Sequence, residues 1–286
     1  MNGVQLAIVV MICFGVGGAF WKAPAQAVGP VRAVYYRQLF VTSLLGVLLL
    51  FVPAPTNCSV QDIAIAALIA LFGYLPLFFF LRAISRGVVG VISGIANAKV
   101  LVTIILSQLF LGDEIAASQW GLIFVLVAAL FGLAWEPSPV GKAGAMRLAD
   151  GAADAFIACV LWGAVYFLVA FPVAKLGPYY FAFILEVGVL CAAMLHLKLA
   201  RIEHKSLPRD VRLPLLICVA TAVIGTVSYN LAITRAPISI VAAISFSSPV
   251  VATLVARTVF GEKLRPLQLV SMVTIVVVLS ALSLGQ

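Results

Sequence analysis

The sequence predicts an all-α integral membrane protein, with ten transmembrane helices as two inverted five-helix repeats. Three observations carry that prediction. The 286 residues are 64% hydrophobic and only 10% charged, whereas soluble domains average about 25% charged residues. Too few polar side chains exist to cover water-facing helices. The apolar residues also fall into ten runs of membrane-crossing length, and the last five runs repeat landmarks of the first five at a nearly constant offset. The same composition excludes a disordered chain, a coiled coil and a collagen-like fibre.

A helix needs about 20 apolar residues to cross about 30 Å of hydrocarbon. Cutting the chain at charges, Pro and Gly leaves 4–21, 32–52, 62–82, 88–111, 118–136, 152–173, 179–199, 212–232, 238–260 and 266–284. Most connections are short, so neighbouring helices must pack as antiparallel hairpins. Two are longer. Residues 137–151, with Pro, Gly, Ala and scattered charge, read as a linker between a first repeat at 1–136 and a second at 152–286. Residues 200–211 are rich in Lys and Arg. No run alternates apolar and polar residues as the strands of a membrane barrel would. Ala25-Gln26-Ala27 has the form of a signal-peptide cleavage site. However, Met1-Asn2-Gly3 supplies no basic stretch, and Trp21 and Lys22 interrupt the approach, so the first run is expected to remain as a span.

The two halves match in order. Phe14-Gly15 answers Trp162-Gly163, and Val28-Gly29-Pro30 answers Leu176-Gly177-Pro178, both at an offset of 148. At an offset of 149, Ala83-Ile84-Ser85-Arg86 answers Ala232-Ile233-Thr234-Arg235, Gly112-Asp113 answers Gly261-Glu262, and Gln119 answers Gln268. This reads as an internal duplication. Five spans is an odd number, so the second copy must enter the membrane from the opposite side. Inverted repeats are the architecture of secondary transporters, which rock two half-structures about a central site.

These matched residues are where a family comes into view. The chain resembles the ten-helix, EamA-like type of drug/metabolite transporter over essentially its whole length. The likeness rests on Trp162-Gly163, the Gly-Pro turns, the Ala-Ile-x-Arg ends, Ser248-Pro249 and Gly261-Glu262. It implies export or exchange of small polar or amphipathic metabolites across a bacterial inner membrane. Two departures stand out. Lys99-Val100 occupies the place that answers Ser248-Pro249, and Phe14 stands where such proteins commonly carry Trp.

Ionisable side chains inside a membrane usually face a cavity or a partner, because burying one costs about 2.5–3.5 kcal/mol on insertion scales. Three qualify. Lys99 lies about 18 Å along its helix from Gly87, Glu186 about 12 Å from Pro178, and Arg37 about 10 Å from Pro30. Lys99 is the foremost candidate for binding an anionic or zwitterionic substrate. The competing reading is a buried structural pair of Glu186 with Lys99 or with Arg37. Arg37 could equally snorkel to the interface. Around these lie Asn97, Tyr229, Asn230, Ser245 and Ser248, with Trp162 and Tyr166 sharing a helix face at i, i+4. Ser93, Thr103, Ser107 and Ser247 are polar on the same spans, although Ser and Thr often bond their own helix backbone. The glycines of spans one and four read mainly as packing sites. Trp21 and Trp135 read as interfacial anchors. Arg82, Arg86 and Arg235 read as snorkels, and Asp113 and Glu262 as residues of the cavity mouth. The site is expected between the halves, lined by spans one, three, four, six, eight and nine.

No metal-type spacing, phosphate loop or catalytic triad is present, so the expectation is a non-enzyme with no cofactor and no nucleic-acid partner. Cys13, Cys58, Cys159, Cys191 and Cys218 read as small apolar fillers. The expected partners are a small-molecule substrate, a proton or counter-substrate, and the bilayer. The alternative is a non-enzymatic assembly protein or a flippase component for a lipid-linked intermediate, though few spare loops exist for docking a partner. The basic residues give the orientation. With Lys99 and Arg37 set aside as intramembrane, 14 of the 18 Lys and Arg lie in or beside the loops after spans one, three, five, seven and nine, and only Lys175 and Arg235 on the opposite side. By the positive-inside rule both termini lie outside the cytoplasm. Alkaline phosphatase fused after Gln286 should therefore be active and a fluorescent protein dark; the reverse pattern would invert the assignment.

Overall fold

In the computed structural model, residues 1–56, 58–112, 116–134, 150–203, 205–261 and 266–284 are described, and they form helices with no strand among them. In the first half the order is α1 (Gly3–Phe20), α2 (Lys22–Val28), α3 (Pro30–Leu49), α4 (Val60–Phe72), α5 (Tyr74–Ile84), α6 (Val89–Asn97), α7 (Lys99–Leu111) and α8 (Ala117–Ala134). The second half has α9 (Ala152–Leu168), α10 (Ala170–Leu176), α11 (Pro178–Leu199), α12 (Arg212–Ile233), α13 (Ile238–Ser245), α14 (Pro249–Phe260) and α15 (Pro266–Leu284). Among the described residues, seven segments are long and apolar enough to cross a membrane: Gly3–Val28, Val60–Ile84, Val89–Leu111, Ala152–Leu176, Pro178–Leu199, Arg209–Ile233 and Ile238–Phe260. The expected spans 32–52, 118–136 and 266–284 fall on α3, α8 and α15. Asp113, Trp135, Glu262 and the linker as far as residue 149 lie outside the described residues.

Several of these spans are broken, so one apolar run becomes two helices. Three breaks carry a proline three residues in. Pro24 follows Trp21 between α1 and α2, Pro76 follows Gly73 between α4 and α5, and Pro172 follows Val169 between α9 and α10. Each removes one backbone donor and crowds the preceding turn. Pro249 does the same between α13 and α14, where Ser247 and Ser248 donate to Ile244 and Ser245 in a tightened turn. The break between α6 and α7 has no proline. There Ala98 donates to both Gly94 and Ile95, and Asn97 Nδ2 folds back to the Ser93 carbonyl at 2.8 Å.

The landmarks that matched in sequence carry matching backbone devices. Gly29 and Gly177 adopt φ of 84° and 77°, and each is followed by a proline at the first position of a long helix. That conformation is cheap only for glycine. Gly112 and Gly261 close α7 and α14 in the left-handed region. Packing matches as well. A Cβ on Gly15 would lie 2.4 Å from Val251 Cβ and 2.7 Å from the Ser248 carbonyl. One on Gly163 would lie 2.4 Å from Val102 Cβ and 3.1 Å from the Lys99 carbonyl. Thus α1 presses on the start of α14 and α9 on the start of α7, each against the break in the opposite half. Thr103 Oγ1 seals the second contact with a bond to the Gly163 carbonyl at 3.1 Å.

The connections gather at two ends. At one, Gln26 bonds the Ser85 carbonyl, Arg32 that of Glu203, and Lys205 that of Ala27. At the other, Arg235 bonds the Met1 carbonyl and Tyr180 that of Val52. Arg82 is not the expected interfacial snorkel. Its guanidinium is paired with Asp154 at the start of α9, across the two halves, and lies over the Phe78 and Phe79 rings.

Gly15→Ala and Gly163→Ala should each lower stability by about 1–3 kcal/mol through overpacking. Gly18→Ala, which meets no atom within 4 Å, should leave it unchanged. Thermal unfolding in detergent measures all three, and wild-type behaviour of both tight sites would contradict these contacts.

Candidate functional site

A central cavity of about 150 Å³ lies between the halves. Its walls come from α1, α3, α5, α6, α7, α9, α11, α12 and the break before α14, with Gly73 just ahead of α5. Of the expected site residues, it brings together Lys99, Asn97, Glu186, Arg37, Trp162, Tyr166, Tyr229, Asn230 and Ser248. Ser245 is not among the lining residues. It is fully buried, with its hydroxyl facing the Ala7 carbonyl at 3.5 Å. The expected set of lining spans omitted α3 and α11, which nevertheless supply Arg37 and Glu186.

Glu186, on α11, is buried and saturated with donors. Arg37 Nη1 donates to Oε2 at 2.9 Å, and Gln38 Nε2 donates to the same oxygen. Thr226 Oγ1, on α12, donates to Oε1 at 3.1 Å. Gln38 also reaches the Glu186 carbonyl, and its side-chain oxygen accepts from Arg37. Trp21 faces this group, with the Arg37 guanidinium carbon 5.7 Å from its ring centroid. Trp21 is therefore a buried wall of the cavity, not an interfacial anchor. Gln38 carried a sequence signal that was missed: it stands 148 residues before Glu186, the offset that pairs the glycines. Arg37 is its neighbour.

The pairing of Lys99 with Glu186 does not form. Lys99 opens α7, is 4% exposed, and among the described residues has no carboxylate within 4.0 Å of its ammonium. Three aromatic faces surround it instead. Its Nζ lies 4.4 Å from the Trp162 centroid, 4.5 Å from that of Phe246 and 4.9 Å from that of Tyr166. Tyr166 in turn packs on Tyr229 and Phe246, at centroid distances of 4.9 and 4.5 Å. Each cation–π contact is worth about 0.5–2 kcal/mol. Such contacts hold an ammonium in place without neutralising it.

Polar atoms complete the wall. Ser248 donates to Asn97 Oδ1 at 3.2 Å, joining the two helix breaks. Asn230 Nδ2 donates to the Pro178 carbonyl at 3.0 Å. The Tyr229 hydroxyl and Arg37 Nε have no hydrogen-bond partner among the described residues. Buried polar atoms in that condition are costly unless something else meets them.

Comparison with known proteins now decides the family. The model of the EamA-like transporter family matches residues 1–135 and 151–284. The chain belongs to the EamA-like transporter family. It is accordingly a multi-pass membrane protein and a membrane transporter. One solved structure, described as "Crystal structure of protein", aligns at a TM-score of 0.73 with 14% identity, over 99% of this chain and 96% of its own. At that identity the likeness speaks for the fold. No curated protein matches the chain.

In this EamA-like chain, Arg37 and Glu186 should behave as one unit. Removing either partner strands a buried charge, at a cost of about 3–5 kcal/mol. Arg37→Met and Glu186→Gln should each lower the melting temperature sharply, and the double variant should recover part of the loss. Lys99→Met combined with Glu186→Gln should show no such recovery. Additive losses for Arg37 and Glu186 would show that they are not coupled.

Proposed function

We propose that the protein is a secondary transporter that moves a small amphipathic metabolite bearing an anionic group across the bacterial inner membrane. It works as an exporter or exchanger, by alternating access and without ATP hydrolysis. The observation that carries this reading is Lys99, a buried side-chain amine on the cavity wall with aromatic faces around it and, among the described residues, no carboxylate within 4.0 Å. A substrate carboxylate would supply the missing anion. The remaining wall is largely apolar and aromatic, so the rest of the solute is best an apolar chain or ring. An amino-acid-like solute would add an ammonium for the ring faces or the Tyr229 hydroxyl. A cavity of about 150 Å³ takes a body of roughly benzene size.

The reading includes ten spans and an inverted pair of five-helix repeats at 1–136 and 152–286, with α3, α8 and α15 as the remaining spans. It is supported by the double match to one family model, by the equivalent Gly-Pro starts and by the exchanged contacts of Gly15 and Gly163. Broken helices meeting at a midplane site are how such repeats bind solutes. In this reading the two halves rock about Asn97 and Ser248, and a proton or counter-substrate resets the carrier.

The test is counterflow of labelled small organic anions in proteoliposomes, with binding followed on purified protein. Lys99→Met should weaken binding about tenfold to a hundredfold, the worth of one charge-assisted bond, while leaving the melting temperature near wild type. Unchanged transport of anions by Lys99→Met, or equal transport of uncharged isosteres, would remove Lys99 from substrate binding.

A further inference from the structure

A second cavity, of about 320 Å³, lies outside the central site, where α3 begins and α11 ends. Arg32, Tyr35, Lys198, Glu203 and Lys205 stand on its wall, and Arg201 lies in the same connection between Lys198 and Ile202. Its charge is unbalanced. Three lining cations, Arg32, Lys198 and Lys205, stand against one acidic residue, Glu203, and among the described residues no carboxylate comes within 4.0 Å of any of them.

The groove is held in shape by bonds that position these cations without neutralising them. Arg32 donates to the Glu203 carbonyl at 2.7 Å and to the Val28 carbonyl at 3.1 Å. Lys205 donates to the Ala27 carbonyl at 3.1 Å, and the Tyr36 hydroxyl to the Lys205 carbonyl at 2.6 Å. The connection after α11 is thereby fastened to the start of α3. Arg201 brings a further cation to the same connection. It adopts φ of 49°, and the Ile202 N–H closes the turn on the Leu197 carbonyl at 2.9 Å. A helix end of this shape normally takes glycine, yet here an arginine bears the backbone strain.

Directly along α11 from this groove, the side chains turn outward and apolar: Met194 is 51% exposed, Leu195 56% and Leu199 72%. In a membrane protein that surface faces acyl chains. The geometry points to a binding site for an anionic phospholipid, its phosphate among Lys198, Arg201 and Lys205 and its chains along Met194 and Leu195. Basic pockets at the ends of membrane helices suit anionic headgroups in this way. Free phosphate would use the cations but not the apolar strip, which is why the lipid is the better occupant.

Delipidated full-length protein in detergent, given phosphatidylglycerol, phosphatidylcholine or inorganic phosphate, tests the assignment by native mass spectrometry and thermal unfolding. Phosphatidylglycerol should be retained and should raise the melting temperature; the other two should not. Lys198→Gln with Arg201→Gly should weaken phosphatidylglycerol retention about tenfold. The glycine relieves the strained turn, so stability in phosphatidylcholine should match wild type. Should that variant be unstable, Lys198→Gln alone keeps the loop backbone and must still lower the ratio of the two lipids. An unchanged ratio, equal retention of both lipids, or reproduction of the effect by inorganic phosphate would each overturn the site.

Discussion

The arrangement of this protein depends on the buried Glu186 carboxylate being met by protein donors. An ion of that size pays several kcal/mol to leave solvent, and only good geometry repays it. Here the repayment comes from three side chains on two other helices: Arg37 and Gln38 of α3, and Thr226 of α12. Because α3 belongs to the first half and α11 and α12 to the second, meeting this one demand ties the halves together. It also fixes the polar side of the cavity. A satisfied carboxylate has no capacity left for another cation, and Lys99 is the cation left over.

That remainder gives the cavity its sign. Two cations, Arg37 and Lys99, stand against one carboxylate, Glu186, among the lining residues. Had a second carboxylate been paired with Lys99, an incoming anion would have needed to displace it, losing as much as it gained. Ring faces attract an ammonium through a fixed quadrupole and give up little when a stronger partner arrives. The aromatic cage of Trp162, Tyr166 and Phe246 thus holds Lys99 in place and, in the proposed reading, leaves it free to meet a substrate anion.

Much of the helical layout was legible because hydrocarbon allows few alternatives. A run of twenty apolar residues in lipid must close its own backbone bonds, so counting located helices on the expected runs, seven of them, among the described residues, long and apolar enough to cross a membrane. The Gly-Pro starts were legible for a similar reason, since Gly29 and Gly177 need a positive φ. Partner choice was less so. Nothing local distinguishes Arg37 from Lys99 as the mate of Glu186, because both sit near mid-span and pairing depends on helix rotation. Trp21 looked like a span end, and only the break before Pro24 shows that it turns inward. Asp154 drew no attention in a helix start, although it meets Arg82 across the halves. The break after Asn97 was invisible because it lacks a proline.

The proposed duplication explains why backbone and chemistry diverge. The contacts that bring α1 onto α14 and α9 onto α7 are nearly equivalent, each a glycine against a valine Cβ and a carbonyl. Equivalent contacts let two packings of the whole chain lie close in energy, which is what a carrier that exchanges inward and outward states requires. The residues placed on that frame are free to differ, since the equivalent contacts are made by glycines, valines and backbone carbonyls and not by the cavity's polar side chains. At the two breaks they do differ. Ser248 occupies the place that answers Lys99, and it bonds Asn97 where Lys99 bonds no oxygen among the described residues. In the proposed reading, a serine in both places would leave a cavity with no net charge and no reason to prefer an anion, so the departure at Lys99 is where specificity would lie.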